Sequence, residues 1–230
     1  MRNTVPWISF TFDDFPRSAL RAGGGILQRH GLRATYYVSL GLMGAESPSG
    51  TLFNRQDLEQ LLAAGHELGC HTFSHCHSWE TAPQRFEDAV ADNRQALQNL
   101  FPGTAFRSHS YPISYPRPGT KRRMSGHFVA ARSGGQIFNA GIVDLNLLKG
   151  FFLEKSRNHP ETVKALIDGN RAARGWLILA THDISEMPTP YGCTPAFFSE
   201  VVGYALASGA RILPVADALD AIRADSRLPH

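Results

Sequence analysis

Short β-rich runs alternate with helix-forming segments along almost the whole chain, and this alternation constrains the fold most strongly. The run Trp7-Ile8-Ser9-Phe10 precedes a helical segment at residues 17–30, and the run at residues 34–38 precedes another at 55–64. Strands separated by helices pair in parallel. Because no glycine-rich dinucleotide fingerprint interrupts the pattern, it favours an α/β fold with a closed barrel over a doubly wound open sheet. Further strands are predicted at residues 67–70, 105–108, 128–132, 138–142, 176–181 and 211–213, and further helices at 81–100, 159–174, 195–208 and 215–224.

The length and composition agree with one domain. With 230 residues, 43% of them hydrophobic, the chain can bury a sizeable core, and residues 1–230 are predicted to form a single barrel domain. The formal charge of +3 is mild. The basic triplet Lys121-Arg122-Arg123 is predicted to be the solvated face of a helix, so no nucleic-acid partner is expected.

Cysteine usage and the chain start bear on the compartment. The three cysteines, Cys70, Cys76 and Cys193, cannot all pair within one chain, and they do not resemble a disulfide framework. The first residues lead into the first strand without the pattern of a signal peptide. No apolar run approaches the roughly 20 residues that a membrane span needs. We therefore predict a soluble, cytoplasmic protein without a membrane span.

Two groups of polar residues follow predicted strands. Asp13 and Asp14 come directly after the first strand, and Pro16 agrees with a turn there. Neighbouring side chains of a strand point to opposite faces, so the backbone must turn if both carboxylates serve one site. His71 and His75 follow the third strand. One carboxylate and two imidazoles with an open position are the ligands of a catalytic divalent metal, most often zinc. Taken alone, an Asp pair at a strand end is usually a solvated turn.

Three segments that carry polar residues follow one another along the chain, namely Thr11-Phe12-Asp13-Asp14, His71-Thr72-Phe73-Ser74-His75 and Leu177-Ile178-Leu179-Ala180-Thr181-His182-Asp183. In this order they resemble motifs of the NodB-type polysaccharide deacetylases, which form carbohydrate esterase family 4. The resemblance covers nearly the whole chain and implies an irregular (β/α) barrel with about seven parallel strands, whose active residues lie at the carboxyl ends of the strands.

The resemblance also implies residue roles. Asp14, His71 and His75 are expected to hold the metal, and Asp13 to be the general base that takes a proton from water. His182 is expected to be the general acid that protonates the departing nitrogen, although a lone histidine after a strand is commonly structural. Zinc is the expected cofactor, and the same ligand set also accepts cobalt, nickel, manganese or iron.

The remaining family motifs match less closely. Tyr111, followed by Pro112, is the expected source of a backbone N–H for the oxyanion. The arginine that would hold the catalytic aspartate is Arg107, which lies four positions before Tyr111 rather than the usual three, or Arg132. The acidic residue of the fourth motif, which tunes the acid histidine, has no convincing counterpart, and Asp144 is the nearest carboxylate.

Several other residues have two readings each. His109 is either substrate-facing or structural, and Trp79 either stacks on a sugar or packs in the core. Asp183 is expected to face solvent or to bond within its loop, and Cys76 is not needed as a ligand. Three further histidines are predicted not to bind the metal, namely His66, His77 and His127.

These observations predict a metal-dependent hydrolase that removes an N-acyl group, in the simplest case acetyl, from an amino sugar of a glycan, glycolipid or precursor. Hydrolysis of a small non-sugar amide on the same fold is one alternative. A catalytically silent glycan-binding module is another, although it would be expected to have lost Asp13 or His182. Substrate selection is expected to depend on the loops at residues 41–51, 110–119 and 184–194.

Overall fold

A computed structural model describes residues 3–113, 115–157 and 159–225. The strands are β1 (Trp7–Phe12), β2 (Thr35–Val38), β3 (Glu46–Ser47), β4 (Gly50–Thr51), β5 (Glu67–Cys70), β6 (Ser108–Ser110), β7 (Ala130–Ser133), β8 (Leu148–Phe152), β9 (Trp176–Thr181) and β10 (Arg211–Ile212). The helices are α1 (Gly25–Gln28), α2 (Arg55–Ala63), α3 (Pro83–Leu100), α4 (Pro118–Met124), α5 (Pro160–Ala173), α6 (Pro195–Ala207) and α7 (Val215–Asp225).

Seven parallel strands close into a barrel, as the sequence predicted. Their order is β1, β2, β5, β6, β7, β8 and β9, and β9 pairs back onto β1 along its full length, from Trp7–Trp176 to Phe12–Thr181. The other edge of β1 is divided, because β10 pairs with its first two residues and β2 with its last two. All the carboxyl ends of these strands therefore open at the same end of the barrel.

Two strand predictions need correction. The predicted strand at residues 138–142 forms only a single bridge, Asn139–Trp176, and Gly141 there has a positive φ of 65°. The barrel strand is β8 instead, ten residues further on. The predicted strand at residues 105–108 begins only at Ser108. Both strands were predicted from the apolar content of their segments, whereas pairing with the neighbouring strands decides which residues form a barrel strand.

The predicted helix at residues 17–30 is also modified. It consists of a π-helical turn at Ala19–Gly24 followed by the short helix α1. The glycines allow it to pack closely on the barrel, since a Cβ on Gly23 would lie 2.9 Å from the Phe12 ring and one on Gly24 would lie 3.1 Å from the Tyr36 hydroxyl. The glycine run therefore weakens the helix but allows it to pack closely on the barrel.

Helix α7 closes the amino-terminal end of the barrel. The Glu67 carboxylate accepts hydrogen bonds from Thr35 Oγ1 at 2.8 Å, Ser108 Oγ at 2.6 Å and the Ala216 N–H at 3.0 Å, while Thr35 Oγ1 accepts from the Val215 N–H at 2.9 Å. A carboxylate at a helix N-terminus is favoured by the exposed N–H groups. The amino-terminal end of the barrel is therefore occupied by the hydrogen bonds that attach α7 to the strands.

None of the helices in the described ranges has the length and apolar character needed to cross a membrane.

Candidate active site

The chain turns directly after β1, as both carboxylates require. Asp14 and Phe15 have positive φ values of 58° and 52°, and the Phe15 N–H donates to the Asp13 carbonyl at 2.6 Å. The buried Phe15 ring stacks on Phe53 with ring centroids 5.2 Å apart, which holds the turn against the barrel. Left-handed backbone at two successive non-glycine residues costs conformational energy. It brings Asp13 and Asp14 to the same cavity.

Asp14, His71 and His75 form one cluster at this end of the barrel. Their ligand atoms all lie within 4.8 Å of one another, and Asp14 Oδ1 is 3.2 Å from His75 Nε2 and 3.6 Å from His71 Nε2. The segment after β5 curls through Thr72 and His75, whose φ values are 60° and 53°, so that both rings face the carboxylate. One carboxylate oxygen and two imidazole nitrogens suit a divalent cation that keeps positions open.

The surroundings of His71 prepare it as a ligand. Its Nδ1 lies 2.8 Å from the Ser110 carbonyl oxygen, which can only accept, so Nδ1 carries the proton and the Nε2 lone pair faces Asp14. Burial lowers the pKa of His71 to about 4, although Asp13 and Asp14 oppose the shift. The ring is therefore neutral near pH 7, which is the form that binds a cation. The three residues fit a bound divalent metal.

Asp13 is held by a buried arginine. Arg132, on β7, pairs with Asp13 Oδ1, and the two side chains are only 1% and 6% exposed. The guanidinium carbon lies over the rings of Tyr37 and Phe152, 5.0 and 5.5 Å from their centroids. Burial would raise the pKa of Asp13, but Arg132, with His71 and His182, outweighs burial, and the pKa lies below its usual value. Asp13 is thus an oriented anion at neutral pH.

His182 lies beyond the end of β9 and lines the same cavity. Its Nδ1 is 3.2 Å from the Tyr191 carbonyl oxygen, and its ring lies near parallel to that of Phe152 at 6.3 Å. Because a carbonyl only accepts hydrogen bonds, Nδ1 carries a proton and Nε2 is the nitrogen left to exchange one.

A cavity of about 500 Å³ joins these groups. It is bounded on one side by the β3–β4 hairpin and on the other by residues after β8 and β9. Exposed aromatic side chains stand at its rim, with Tyr115 42% and Tyr191 45% exposed. Asp13, Asp14, His71, His75 and His182 all line it, so the structure brings together the five side chains singled out in the sequence.

The sequence matches a protein-family model described as polysaccharide deacetylase over residues 2–125, just over half of the 230 residues. The chain belongs to the polysaccharide deacetylase family. The matched segment carries Asp13 and the cluster of Asp14, His71 and His75, whereas Arg132 and His182 lie beyond it. No curated protein matches the sequence significantly.

The fold of this polysaccharide deacetylase family member is similar to several solved structures. A chitin deacetylase from the fungal pathogen Colletotrichum lindemuthianum is 18% identical, with a TM-score of 0.69 and 94% of this chain and 89% of that chain covered. A family 4 acetyl xylan esterase from Clostridium thermocellum, in complex with a cobalt ion, is 19% identical, with a TM-score of 0.65 and coverages of 94% and 91%.

A family pseudoenzyme from Bacillus anthracis is also similar in fold. It is 10% identical, with a TM-score of 0.67, and the match covers 95% of this chain and 67% of that chain. A pseudoenzyme shares this architecture, so the fold alone does not fix the chemistry of this family member.

Glu154, which the sequence did not single out, is a further ionisable group of the cavity. It follows β8 in a 3₁₀ turn, and its Oε2 is buried without a hydrogen-bond partner among the described residues. Burial raises its pKa to about 7, with Asp13 adding to the shift and His182 opposing it. Its position after a strand end was a usable signal, but the misplaced strand at 138–142 hid that position. Asp144, the carboxylate that the sequence offered for tuning the acid histidine, instead pairs with Lys121.

Two of the predicted catalytic groups are placed differently from the expectation. The Tyr111 N–H donates to the Arg132 carbonyl at 3.0 Å, continuing the β6–β7 ladder, so it is not a free donor for an oxyanion. Arg107 precedes β6 and bonds Asp220 of α7 at 2.5 Å, at the amino-terminal end of the barrel. The prediction that Arg107 belongs to the site is therefore wrong, and Arg132 is the arginine that contacts Asp13.

Other polar residues have structural surroundings. His109 is fully buried against Phe86 and Phe128, and its structural reading is confirmed. Asp183 is 4% exposed and accepts from the Thr189 N–H at 2.9 Å, so it bonds within its loop. Trp79 is 52% exposed, which rules out core packing.

Replacing Arg132 with glutamine is expected to lower kcat/KM by up to about 100-fold, because Asp13 loses the group that orients it. The pKa of Asp13 should rise without the nearby cation, so the acid limb of the pH–rate profile should move to higher pH. Arg107→Gln is the matched control and should leave both quantities unchanged. Rates measured between pH 4 and 8 for the two variants check the prediction, and equal effects of the two substitutions would contradict it.

Proposed function

We propose that this protein is a metal-dependent hydrolase that removes an N-acyl group, in the simplest case acetyl, from an amino sugar. The observation that carries the proposal is the meeting of three groups in one cavity. They are a cluster of metal-ligand type, an anionic carboxylate held by a buried arginine, and a histidine with one nitrogen free. Amide hydrolysis needs a nucleophilic water, charge stabilisation and an acid for the departing nitrogen, and each has a candidate here.

Asp14, His71 and His75 would hold the cation. A bound divalent metal supplies Lewis-acid polarisation of the acyl carbonyl and acidification of water. Asp13 is the proposed general base, and its orientation by Arg132 leaves the carboxylate ready to accept a proton. The buried position of the Asp13–Arg132 pair strengthens this orientation, since screening by solvent is small there.

His182 is the proposed acid for the leaving nitrogen. Its Nδ1 is occupied by a backbone carbonyl, so a proton would be delivered from Nε2. Glu154 is proposed to support this side of the cavity, because its electrostatic interactions include both His182 and Asp13. The two sides of the cavity would then divide the proton transfers, with Asp13 accepting and His182 donating.

The rim of the cavity supports a sugar substrate. Tyr115 and Tyr191 are both exposed there, and the exposed Trp79 donates from Nε1 to the Tyr115 carbonyl at 2.8 Å. Lys149 lies 5.3 Å from the Tyr115 ring centroid and Arg117 lies 5.8 Å from that of Trp79, which helps to fix the two rings. Exposed, fixed aromatic rings provide apolar faces on which a carbohydrate ring can stack.

Acetate release from N-acetylated mono- and oligosaccharides, O-acetylated xylan and simple N-acetyl amides tests the proposal. We expect turnover of the N-acetyl sugars, loss of turnover with a chelator, and recovery on adding Zn²⁺ or Co²⁺. Turnover of simple amides alone would replace the sugar assignment with small-amide hydrolysis. Binding of the oligosaccharides without any turnover would instead identify a silent glycan-binding module.

The substitution Glu154→Gln is expected to raise the free energy of unfolding at pH 8 by about 1–3 kcal/mol and to leave it nearly unchanged at pH 4.5. The folded-state pKa of about 7 lies above the usual 4.5, so folding favours the protonated form. The stabilising contribution of the protonated Glu154 carboxyl is complete below pH 4.5 and is lost as the pH rises through about 7. Urea unfolding at both pH values measures the difference.

The same substitution should change the pH–rate profile near pH 7, because a titrating neighbour of His182 is removed. Glu161→Gln is a matched control, since the Glu161 side chain is 79% exposed on α5. A Glu154→Gln variant whose stability and pH–rate profile both followed those of the control would contradict the assigned environment.

A further inference from the structure

Ser49 has an unusual position in the β3–β4 hairpin. Its neighbours Pro48 and Thr51 are exposed, yet Ser49 is 1% exposed and lies against Asp14. Its Oγ is 3.2 Å from Asp14 Oδ2 and 2.9 Å from Ser47 Oγ. The tip of the hairpin therefore folds inward at one residue, and that residue reaches a metal ligand.

The direction of these hydrogen bonds follows from the proton count. Each hydroxyl carries one proton, and an ionised carboxylate only accepts. The Ser49 proton therefore goes to Asp14, as a charge-assisted bond that is stronger than one between neutral groups. Ser47 Oγ accepts from the Ser49 N–H at 3.1 Å and directs its own proton to Ser49 Oγ or to the Gly50 carbonyl. Ser47 thus holds the Ser49 side chain in place.

The Asp14 carboxylate has a separate task for each oxygen. Oδ1 faces His75 Nε2 and His71 Nε2, whereas Oδ2 accepts from Ser49. A hydroxyl on Oδ2 fixes the rotation of the carboxylate and presents a single oxygen to the cation. Outer groups that orient ligands in this way set metal affinity.

The base of the hairpin is joined to the same turn. The Phe53 N–H donates to the Phe15 carbonyl at 3.1 Å, and Pro16 and Leu52 form an antiparallel bridge. The hairpin residues Ser47 and Pro48 also line the cavity. One wall of the cavity is thus bonded both to the turn that carries Asp14 and to its carboxylate.

We propose that the Ser49 hydroxyl is a positioning group that fixes Asp14 as a one-oxygen ligand and couples the hairpin wall of the cavity to metal binding. The inference rests on the proposed metal-dependent function, which requires a cation at Asp14, His71 and His75. It assigns the predicted loop at residues 41–51 a role in holding the metal in addition to lining the substrate cavity.

The experiment compares the wild-type protein, Ser49→Ala and Thr51→Ala. Thr51 is the matched control, because its hydroxyl donates to Glu46 on the exposed side of the same hairpin. The dissociation constant for Zn²⁺ is measured by competition with a chromophoric chelator, without substrate, and Co²⁺ absorption spectra report the ligand geometry. We expect about a 10–100-fold weaker Zn²⁺ affinity and a shifted Co²⁺ spectrum for Ser49→Ala. Thr51→Ala should match the wild type in both.

The outcomes separate the two proposals. If Ser49→Ala binds Zn²⁺ as tightly as the wild type and gives the same Co²⁺ spectrum, the role of Ser49 is refuted while the metal centre stands. If the wild type binds neither ion, the metal-dependent function fails and the role of Ser49 with it. Amide hydrogen exchange of the hairpin gives a second readout, since Zn²⁺ should slow it in the wild type and not in Ser49→Ala. Equal slowing in both would refute the coupling.

Discussion

Replacing Asp13 with asparagine is expected to lower kcat/KM by about 10²–10⁴-fold, the usual contribution of a general base. Asparagine has nearly the same shape and can still accept a hydrogen bond from Arg132, but it cannot take a proton from water. The loss should therefore fall mainly on kcat, with little change in KM. Initial rates on an N-acetylated oligosaccharide measure the effect.

The metal dissociation constant serves as the control for this variant. Asp13 is proposed to pair with Arg132 and not to ligate the cation, so Zn²⁺ affinity should remain close to that of the wild type. In this variant the buried Arg132 loses its anionic partner, which is destabilising. Circular dichroism is therefore measured to verify that the fold is retained. Activity within a few-fold of the wild type would remove Asp13 from the proposed mechanism.

Replacing His75 with alanine is expected to abolish measurable turnover at ordinary metal concentrations. The substitution takes away one of the three clustered ligands and with it the chemistry that a cation supplies, which lowers the pKa of water from about 15.7 toward about 7. Chelation of the wild type should give the same loss. Metal content after dialysis and rates with added Zn²⁺ measure both effects.

His30→Ala is the matched control for this experiment, because His30 is exposed and lies outside the cavity. It should retain full activity and metal content. Added Zn²⁺ should rescue the chelated wild type completely and His75→Ala only at much higher concentration. Full activity of a metal-free wild-type protein would refute the metal-dependent function.

Sequence alone anticipated the parts of the site that are local in the chain. Asp13 and Asp14 directly follow β1, and His71 directly follows β5 with His75 four residues later, so strand prediction placed them at one end of the barrel. Parallel pairing then made their meeting a consequence of the topology. The turn at Asp14 was anticipated for the same reason, since two adjacent carboxylates could not otherwise share a cavity.

The contacts that sequence missed depend on packing between distant segments. Arg107 and Arg132 looked equivalent in the sequence. Arg107 precedes β6 and so lies at the amino-terminal end of the barrel, whereas Arg132 lies near the carboxyl end of β7. Glu154 was hidden because β8 contains Gly150 and Lys149, which weaken the apolar pattern of a strand. Ser49 lay in a segment interpreted as a loop, and only the inward fold of the hairpin reveals its contact with Asp14.

The closure of the barrel has a consequence for how the protein is made on the ribosome. The first strand finds its full-length partner only in residues 176–181, so the barrel cannot close until most of the chain has been synthesised. We expect folding to be late and limited by this long-range pairing, with the apolar β1 exposed to chaperones or to aggregation in the meantime. A fragment ending at residue 125 would retain the segment that resembles the family yet have no route to the closed form. Emergence of residues 176–181, and not synthesis of Asp14, His71 and His75, would then be the step that first allows the pocket to form.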